Sequence, residues 1–146
     1  MIDDDDRVQL TLPSHPKYMK LVRALVGQAA QMAGFGDDHV TPIVLAVDEA
    51  CTNIIRHCYG NDYGQTIIVY VAVMGPRLQI GLRDFGPKRD SSEFKSRDLD
   101  DVRPGGLGMH FIYTTMDAVE FDDSLPRGTL LTLTKTCLPA EPPPGS

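Results

Sequence analysis

The sequence predicts an α+β fold, a two-layer sandwich in which helices cover one face of a mostly antiparallel mixed sheet. Three observations support this prediction. Five segments have the apolar patterns of strands, three others repeat apolar residues every three or four positions, and the two kinds are segregated rather than strictly alternating. The 146 residues suffice for one domain with a single core, and they contain no internal repeat.

The first two elements are a strand and a helix. Apolar and polar residues alternate from Val8 to Leu12, which predicts a half-buried strand that Pro13 ends. Ser14 is placed to cap the helix that follows, and Gly34 is placed to stop it. The expected apolar stripe of this helix consists of Tyr18, Leu21, Val22, Leu25, Val26 and Ala29.

A second helix and a hairpin come next. The helix is predicted to begin either at Asp37–Asp38 or at Thr41–Pro42, and to end at Tyr59–Gly60. Two strand-like runs, at residues 67–73 and 78–82, are separated by a short turn that contains glycine and proline. This arrangement predicts an antiparallel hairpin.

The last third of the chain begins with a long polar stretch. Residues 86–105 show no hydrophobic period, and a loop of that length in a small domain is usually a functional lid or a disordered insert. A short helix is predicted from Gly106, followed by strands at 118–121 and 129–135. We therefore expect one domain at residues 8–137, with a lid at about 87–105.

The two termini and the charge balance limit the possible functions. We expect a flexible acidic tail at residues 1–7 and a disordered tail at 138–146. The run Asp3–Asp6 is either simply solvated, or it imitates phosphate or binds calcium. Twenty acidic and 14 basic residues give a net charge of −6, and no lysine–arginine cluster offers a surface for a phosphate backbone. Direct nucleic-acid binding is not expected.

Cysteine spacing and hydropathy point to a cytoplasmic protein without a structural metal. Cys51, Cys58 and Cys137 form no CxxC pair and leave an odd thiol, so neither a zinc site nor a disulfide framework is indicated. No stretch approaches the ~20 apolar residues of a membrane span, and the acidic start is unlike a signal peptide. We expect reduced thiols and no membrane contact.

Polar residues recur at helical spacing in the second predicted helix. Glu49, Asn53 and His57 are four residues apart, so we expect them on one face that looks away from the core. Ala50, Ile54 and Cys58 are expected on the opposite side. A solvated helix surface is the simple alternative. Asparagine is a weak helix former, however, and its carbonyl oxygen is a hard ligand suited to magnesium, which favours a functional role for Asn53.

Two loop motifs add further candidates. Asp84–Gly86 follows the second hairpin strand, where an acceptor-only carboxylate can take a hydrogen bond from an exocyclic amino group. Arg103–Gly108 leads directly into a helix, where glycine backbone amides and the helix N-terminus favour an anion such as a triphosphate. Each motif alone is also common in ordinary turns and helix starts.

The order of the motifs is more specific than any one of them. Four pieces resemble, in order, the N box, the two glycine boxes and the GT strand of the GHKL ATPases, the superfamily of gyrase, histidine kinases and MutL: Glu49–Asn53 with His57 and Tyr59, Asp84–Gly86, Gly105–Met109, and Gly128–Thr129. The resemblance covers roughly residues 10–135. The compact length and the phrase at 104–112 are most similar to the anti-sigma-factor serine/threonine kinases, which implies the histidine-kinase-like, or Bergerat, ATPase fold.

The resemblance implies a role for each matched residue. Glu49 is expected to be the catalytic general base, Asn53 to bind the Mg²⁺ that bridges the phosphates of ATP, and Asp84 to bind the adenine amino group with support from Thr129. The remaining nucleotide contacts that it implies are Gly86, Gly105, Gly106, Leu107, Gly108 and Met109. Arg103 is expected to contact the γ-phosphate, because a guanidinium can pair with two phosphate oxygens. His57 is either a ligand contact or a packing and hydrogen-bonding residue of the N box.

One departure and several alternatives accompany this prediction. Many relatives have a second glycine in the first glycine box, whereas Pro87–Lys88 follows Gly86 here. We expect this change to affect the affinity for ATP. The implied partners are a sigma factor and a STAS-domain anti-anti-sigma protein, and the implied assembly is a homodimer. The alternatives are a non-catalytic, ATP-gated binding module and a stand-alone ATP-binding domain of a two-component pathway.

Overall fold

Five strands form one antiparallel sheet in the computed structural model, which describes residues 6–87 and 106–138. The strands are β1 (Arg7–Pro13), β2 (Thr66–Met74), β3 (Arg77–Arg83), β4 (Ala118–Asp122) and β5 (Leu130–Thr136), in the spatial order β1-β2-β3-β5-β4. The helices of the described residues are α1 (Met19–Met32), α2 (Asp37–Asn53) and α3 (Gly106–Thr115). The predicted α+β sandwich is confirmed, with antiparallel pairing in every described strand pair.

The core lies between the helices and one face of the sheet. Alternate residues of the central strands are buried there, as period-2 side-chain alternation requires. They are Ile67, Val69, Val71, Leu78, Ile80, Leu82, Leu131 and Leu133. The helices supply the other half of this core, and burial of apolar surface of this kind is the main stabilising contribution to the fold.

Helix α1 confirms most of the predicted apolar stripe and corrects two details. Val22 and Val26 are buried, but Leu21 is 50% exposed because it lies at the edge of the stripe, one residue before Val22. Ser14 does not cap a helix. Its hydroxyl donates to the carbonyl of Asp62 at 2.6 Å and accepts from the amide of Gln65 at 3.1 Å, which ties the end of β1 to the segment before β2.

A neighbouring side chain takes over the capping role. His15 Nδ1 accepts from the amide of Lys17 at 3.0 Å and so caps a single 3₁₀ turn, Pro16–Tyr18, from which α1 continues. An unpaired amide at a helix start needs such a partner. The predicted position of the helix start is therefore confirmed, but the predicted cap, Ser14, is wrong, and His15 caps the turn instead.

Helix α2 begins at the earlier of its two predicted starts and changes geometry at its end. It starts at Asp37, so Pro42 lies inside it and one backbone hydrogen bond is lost there. After Asn53 the chain continues as a π-helical segment, Ile54–Cys58, in which the Ile54 carbonyl accepts from the amide of Tyr59. Gly60 and Asn61 then adopt positive φ and end the helix. π-Helical turns occur frequently at functional sites.

Among the described helices, none combines the length and the apolar composition that spanning a lipid bilayer requires.

Candidate functional site

A pocket opens between the end of α2, the start of α3 and the edge formed by β3, β4 and β5. The empty space in it, including the open space at its mouth, is about 410 Å³. Its lining consists of Ala50, Asn53, Ile54, Cys58, Asp84, Met109, Phe121, Thr129 and Leu131. The structure thus brings together four site residues predicted from the sequence, Asn53, Asp84, Met109 and Thr129, which come from four separate segments.

One end of the pocket, called here the Asp84 end, consists of Asp84, Gly86 and Thr129. Asp84 is only 4% exposed. Its amide donates to the Thr129 carbonyl at 3.0 Å, and one of its carboxylate oxygens accepts from the Gly86 amide at 3.0 Å. These bonds fix both the backbone and the side-chain direction of Asp84, because each constrains a different group of the same residue.

Two glycines allow the chain to pack closely at the Asp84 end. Gly128 has φ +76°, and a Cβ there would lie 2.0 Å from the Asp84 carbonyl oxygen. A Cβ on Gly86 would lie 3.0 Å from the carbonyl oxygen of Cys58. Only glycine fits position 128 without moving the backbone of Asp84.

Tyr59 and Arg127, for which the sequence analysis predicted no role, hydrogen-bond to the backbone of Phe85. The Tyr59 hydroxyl accepts from the Phe85 amide at 2.7 Å and donates to the Thr66 carbonyl at 2.6 Å. Arg127 Nε donates to the Phe85 carbonyl at 2.7 Å. Burial raises the pKa of Tyr59, so its hydroxyl keeps the proton that it donates. Tyr59 belongs to the N-box resemblance, but neither contact is readable from spacing along the chain.

The other end, called here the Glu49 end, consists of Asn53 and Met109, which line the pocket, and of Glu49 and Gly108, which lie beside them. Asn53 is 7% exposed, and a Cβ on Gly108 would lie 2.5 Å from a Glu49 carboxylate oxygen, so the start of α3 packs directly on this carboxylate. Within residues 6–87 and 106–138, no hydrogen bond or ion pair engages the side chain of Glu49 or Asn53. Polar groups that lie in or beside a pocket without protein partners can bind a ligand.

The expected separation of polar and apolar faces on α2 is wrong. Asn53 was expected to look away from the core, opposite Ala50, Ile54 and Cys58, but all four residues line the same pocket. The reason is that residues three and four apart are neighbours on a helix, and here α3 packs against that surface. His57 is exposed in the π-helical segment and lies outside the lining.

The glycine-rich motif before α3 is only partly visible. Gly106 and Leu107 form the first turn of α3, and Gly108 is buried. Arg103 and Gly105 lie outside the described residues, as do residues 88–105 of the predicted lid. No disulfide joins the three cysteines, all of which lie in the described residues. Burial raises the pKa of Cys51, on the core side of α2, to about 12, with a smaller contribution from the Asp48 carboxylate, so this thiol is protonated at neutral pH.

Comparison with known proteins agrees with this geometry. The family model of the histidine kinase-like ATPase domain matches residues 12–135. The chain is 30% identical over 142 residues to a serine-protein kinase RsbW of Halalkalibacterium halodurans, covering 92% of this chain and 85% of the relative. It is 29% identical over 128 residues to the enzyme of the same name from Bacillus cereus, covering 82% of this chain and 79% of the relative.

Solved structures show the same fold at low sequence identity. The crystal structure of the RsbU and RsbW domains of a Mycobacterium tuberculosis protein has a TM-score of 0.63 and 20% identity over 89% of this chain, which spans 32% of that longer chain. A SiaB–SiaC complex from Pseudomonas aeruginosa has a TM-score of 0.60 and 10% identity over 89% of each chain. This chain belongs to the histidine kinase-like ATPase domain family and, within it, to the family of the RsbW serine-protein kinases.

Proposed function

We propose that this protein is an ATP-dependent serine/threonine kinase of the anti-sigma-factor type. In a partner-switching pathway it phosphorylates a STAS-domain anti-anti-sigma protein and, in another state, sequesters a sigma factor. Membership of the RsbW family supports this proposal. The observation that carries it is the single pocket in which Asn53, Asp84, Met109 and Thr129 meet, beside Glu49.

The Asp84 end suits an adenine base. Its carboxylate accepts a hydrogen bond from the exocyclic amino group, and the Thr129 segment supports that contact through the Asp84 amide. Ile54, Phe121 and Leu131 provide apolar surface for the base. A Cβ on Gly86 would press on the Cys58 carbonyl oxygen, so glycine here lets the loop after Asp84 pack against the π-helical segment. The residues present therefore fit the group that the family implies.

The Glu49 end suits the phosphates and a magnesium ion. Residues 6–87 and 106–138 contain no cluster of three acidic, histidine or cysteine side chains that could hold a metal. In this proposal Asn53 holds Mg²⁺ together with phosphate oxygens and water, which is the usual coordination of this ion. Bound Mg-ATP supplies the transferable γ-phosphoryl group and the positive charge that offsets its negative charge. In this proposal, backbone amides at Gly105, Gly106, Leu107 and Gly108 close on the phosphates, and Arg103 contacts the γ-phosphate.

Glu49 has the position required of a general base. It lies one helical turn before Asn53, against the start of α3. Its carboxylate accepts the proton of the substrate serine or threonine as that hydroxyl attacks the γ-phosphate, while the bond from the γ-phosphorus to the β–γ bridging oxygen breaks and ADP leaves. Because no hydrogen bond or ion pair from the described residues engages this carboxylate, its oxygens can accept from the incoming hydroxyl.

The remaining parts of the proposal concern the periphery of the site and the assembly. His57, outside the pocket lining, acts in the packing and hydrogen bonding of the N box rather than on the nucleotide. Residues at about 87–105 act as a lid over ATP. Residues 1–7 form an acidic tail before the kinase domain, and residues 138–146 form a second tail after it. The protein acts in the cytoplasm as a homodimer.

Phosphoryl transfer to a purified STAS-domain protein from the same genome tests this function. The kinase and Mg-ATP are mixed with that protein, and mass spectrometry locates any phosphate. We expect acid-stable phosphoserine or phosphothreonine. Acid-labile phosphohistidine on a partner would instead indicate a two-component pathway. ATP-dependent binding without any transfer would indicate a non-catalytic binding module.

A further inference from the structure

The π-helical segment after α2 determines where Tyr59 lies. Its wider turn pairs the Tyr59 amide with the Ile54 carbonyl at 3.0 Å and the Asn61 amide with the Ile55 carbonyl at 2.8 Å. Tyr59 is 9% exposed, and its ring packs in the core while its hydroxyl reaches the start of β2 and the end of β3. The segment thus joins the helix that contains Asn53 to the loop that contains Asp84.

The Tyr59 hydroxyl uses both of its hydrogen-bonding capacities. It donates to the carbonyl of Thr66, which lies in β2, and accepts from the amide of Phe85. Phenylalanine would keep the ring and lose both bonds. The partly buried Phe85 amide would then lack its protein partner, and an unpaired amide that is shielded from water costs more than the net value of one hydrogen bond.

Phe85 connects this hydrogen bond to the carboxylate of Asp84. The Phe85 peptide lies between Asp84 and Gly86, whose amide donates to the Asp84 carboxylate at 3.0 Å. A shift of Phe85 therefore moves the Gly86 amide and redirects the carboxylate. We propose that Tyr59 is a positioning residue for base recognition, which holds Asp84 in the direction that selects adenine over guanine nucleotides. This inference rests on the proposed function.

The selectivity follows from the chemistry of the two bases. Adenine presents an amino donor at the position where guanine presents an oxygen acceptor, and an ionised carboxylate is only an acceptor. A carboxylate held in one direction gains a hydrogen bond from adenine and meets a like acceptor on guanine. A carboxylate that can turn away loses part of the hydrogen bond to adenine and avoids part of the repulsion from guanine. Both the affinity for ATP and the preference for ATP over GTP therefore decline.

The test compares Tyr59→Phe with Tyr70→Phe in the full chain. Tyr70 provides the matched control because it lies on the open face of β2, under the Arg7 guanidinium, and does not line the pocket. Dissociation constants for Mg-ATP and Mg-GTP are measured by calorimetry. We expect Tyr59→Phe to weaken ATP binding about 3–10-fold and to lower the GTP/ATP ratio of dissociation constants by a similar factor. Transfer at saturating ATP should stay within about twofold of the wild type.

A purely structural role for Tyr59 gives a different result. It would lower the melting temperature of Tyr59→Phe while leaving the GTP/ATP ratio unchanged, and that result would overturn the inference. Arg127→Gln is a second variant in case Tyr59→Phe does not fold, because Arg127 is exposed and its Nε donates to the carbonyl of the same residue, Phe85. We expect a smaller change of the ratio in the same direction, and no change would also contradict the inference.

The proposed function and this inference fail in distinguishable ways. If the wild-type protein bound neither nucleotide, the proposed function would fall, and the inference with it. If the wild type preferred ATP and both variants kept that preference, only the role of Tyr59 would be lost.

Discussion

The two ends of the pocket differ in how much of their geometry the protein itself fixes. At the Asp84 end, Thr129, Tyr59 and Arg127 hydrogen-bond to the Asp84 and Phe85 backbone. At the Glu49 end, neither Glu49 nor Asn53 has a side-chain hydrogen bond or ion pair to the described part of the chain. The Asp84 end is organised before the ligand binds, which reduces the entropic cost of ordering it on binding. At the Glu49 end, the polar side chains can form their hydrogen bonds with the ligand.

The largest effect is expected from Gly128→Ala, which disrupts the organised end. A Cβ there overlaps the Asp84 carbonyl, and φ +76° is unfavourable for alanine. We expect the free energy of unfolding to fall by about 2–4 kcal/mol, measured by denaturant titration.

Gly75→Ala is the matched control for that variant. Gly75 has a similar φ of +59°, but a Cβ there meets nothing within 4 Å. It should therefore cost only about 1 kcal/mol, the conformational part of the penalty. Equal losses in the two variants would mean that the close contact with Asp84 is unimportant.

A somewhat smaller effect is expected from Asp84→Asn. The amide oxygen can still accept from the Gly86 amide, but the amide nitrogen then faces the adenine amino group, donor against donor. We expect ATP binding to weaken by about 1–3 kcal/mol, with the fold retained, as measured by calorimetry and circular dichroism. Asp123→Asn, in the exposed loop after β4, should bind ATP like the wild type. Unchanged binding by Asp84→Asn would remove Asp84 from base recognition.

Two groups with raised pKa values make the stability of the fold sensitive to alkaline pH. They are the Cys51 thiol on α2 and the Tyr59 hydroxyl at the Asp84 end. Burial raises the pKa of Cys51 from 9.0 to about 12, and that of Tyr59 from 10.0. The unfolded thiol loses its proton near pH 9 while the folded one retains it, so stability is complete below pH 9 and falls as pH rises towards 12. At pH 10 we expect a loss of about 1 kcal/mol from Cys51.

Cys51→Ala isolates this contribution. Denaturant titrations of the variant and the wild type at pH 8 and pH 10 should show a smaller alkaline loss in the variant. Identical losses in both proteins would mean that the thiol is not protonated in the folded state at pH 10.

The smallest effect on stability is expected from Asn53→Ala at the Glu49 end. Its amide has no hydrogen bond to the described residues, so we expect the free energy of unfolding to change by no more than about 0.5 kcal/mol. The magnesium dependence of ATP binding should nevertheless be lost. A large loss of stability would show that the protein itself uses this amide, and would contradict the comparison between the two ends.

Periodic patterns made the elements of this fold predictable. Strand alternation and helical stripes depend on neighbouring residues, so the order of elements and the start of α3 at Gly106 follow from the sequence. The exposed Leu21 and the capping role of His15 do not, because they depend on packing and on competing hydrogen bonds.

The site was predictable as a set of motifs and not as a set of contacts. The motif order selected Asn53, Asp84 and Thr129, which do meet in one pocket, although their ligand roles remain predictions. The hydrogen bonds of Tyr59 and Arg127 to Phe85 join residues 26 and 42 positions apart, and only the folded chain brings them together. For the same reason, the burial of Asn53 beside Ala50 could not be inferred from α2 alone.

The most direct test of the account measures ATP binding and phosphoryl transfer side by side in the wild type and Glu49→Gln. If binding depends on the organised end and chemistry on the Glu49 carboxylate, the dissociation constant for Mg-ATP should stay within about threefold, while kcat for transfer to the STAS-domain protein falls by about 10²–10⁴-fold. An equal loss of binding and transfer would contradict the assignment of Glu49 as the base and the separation of the two ends.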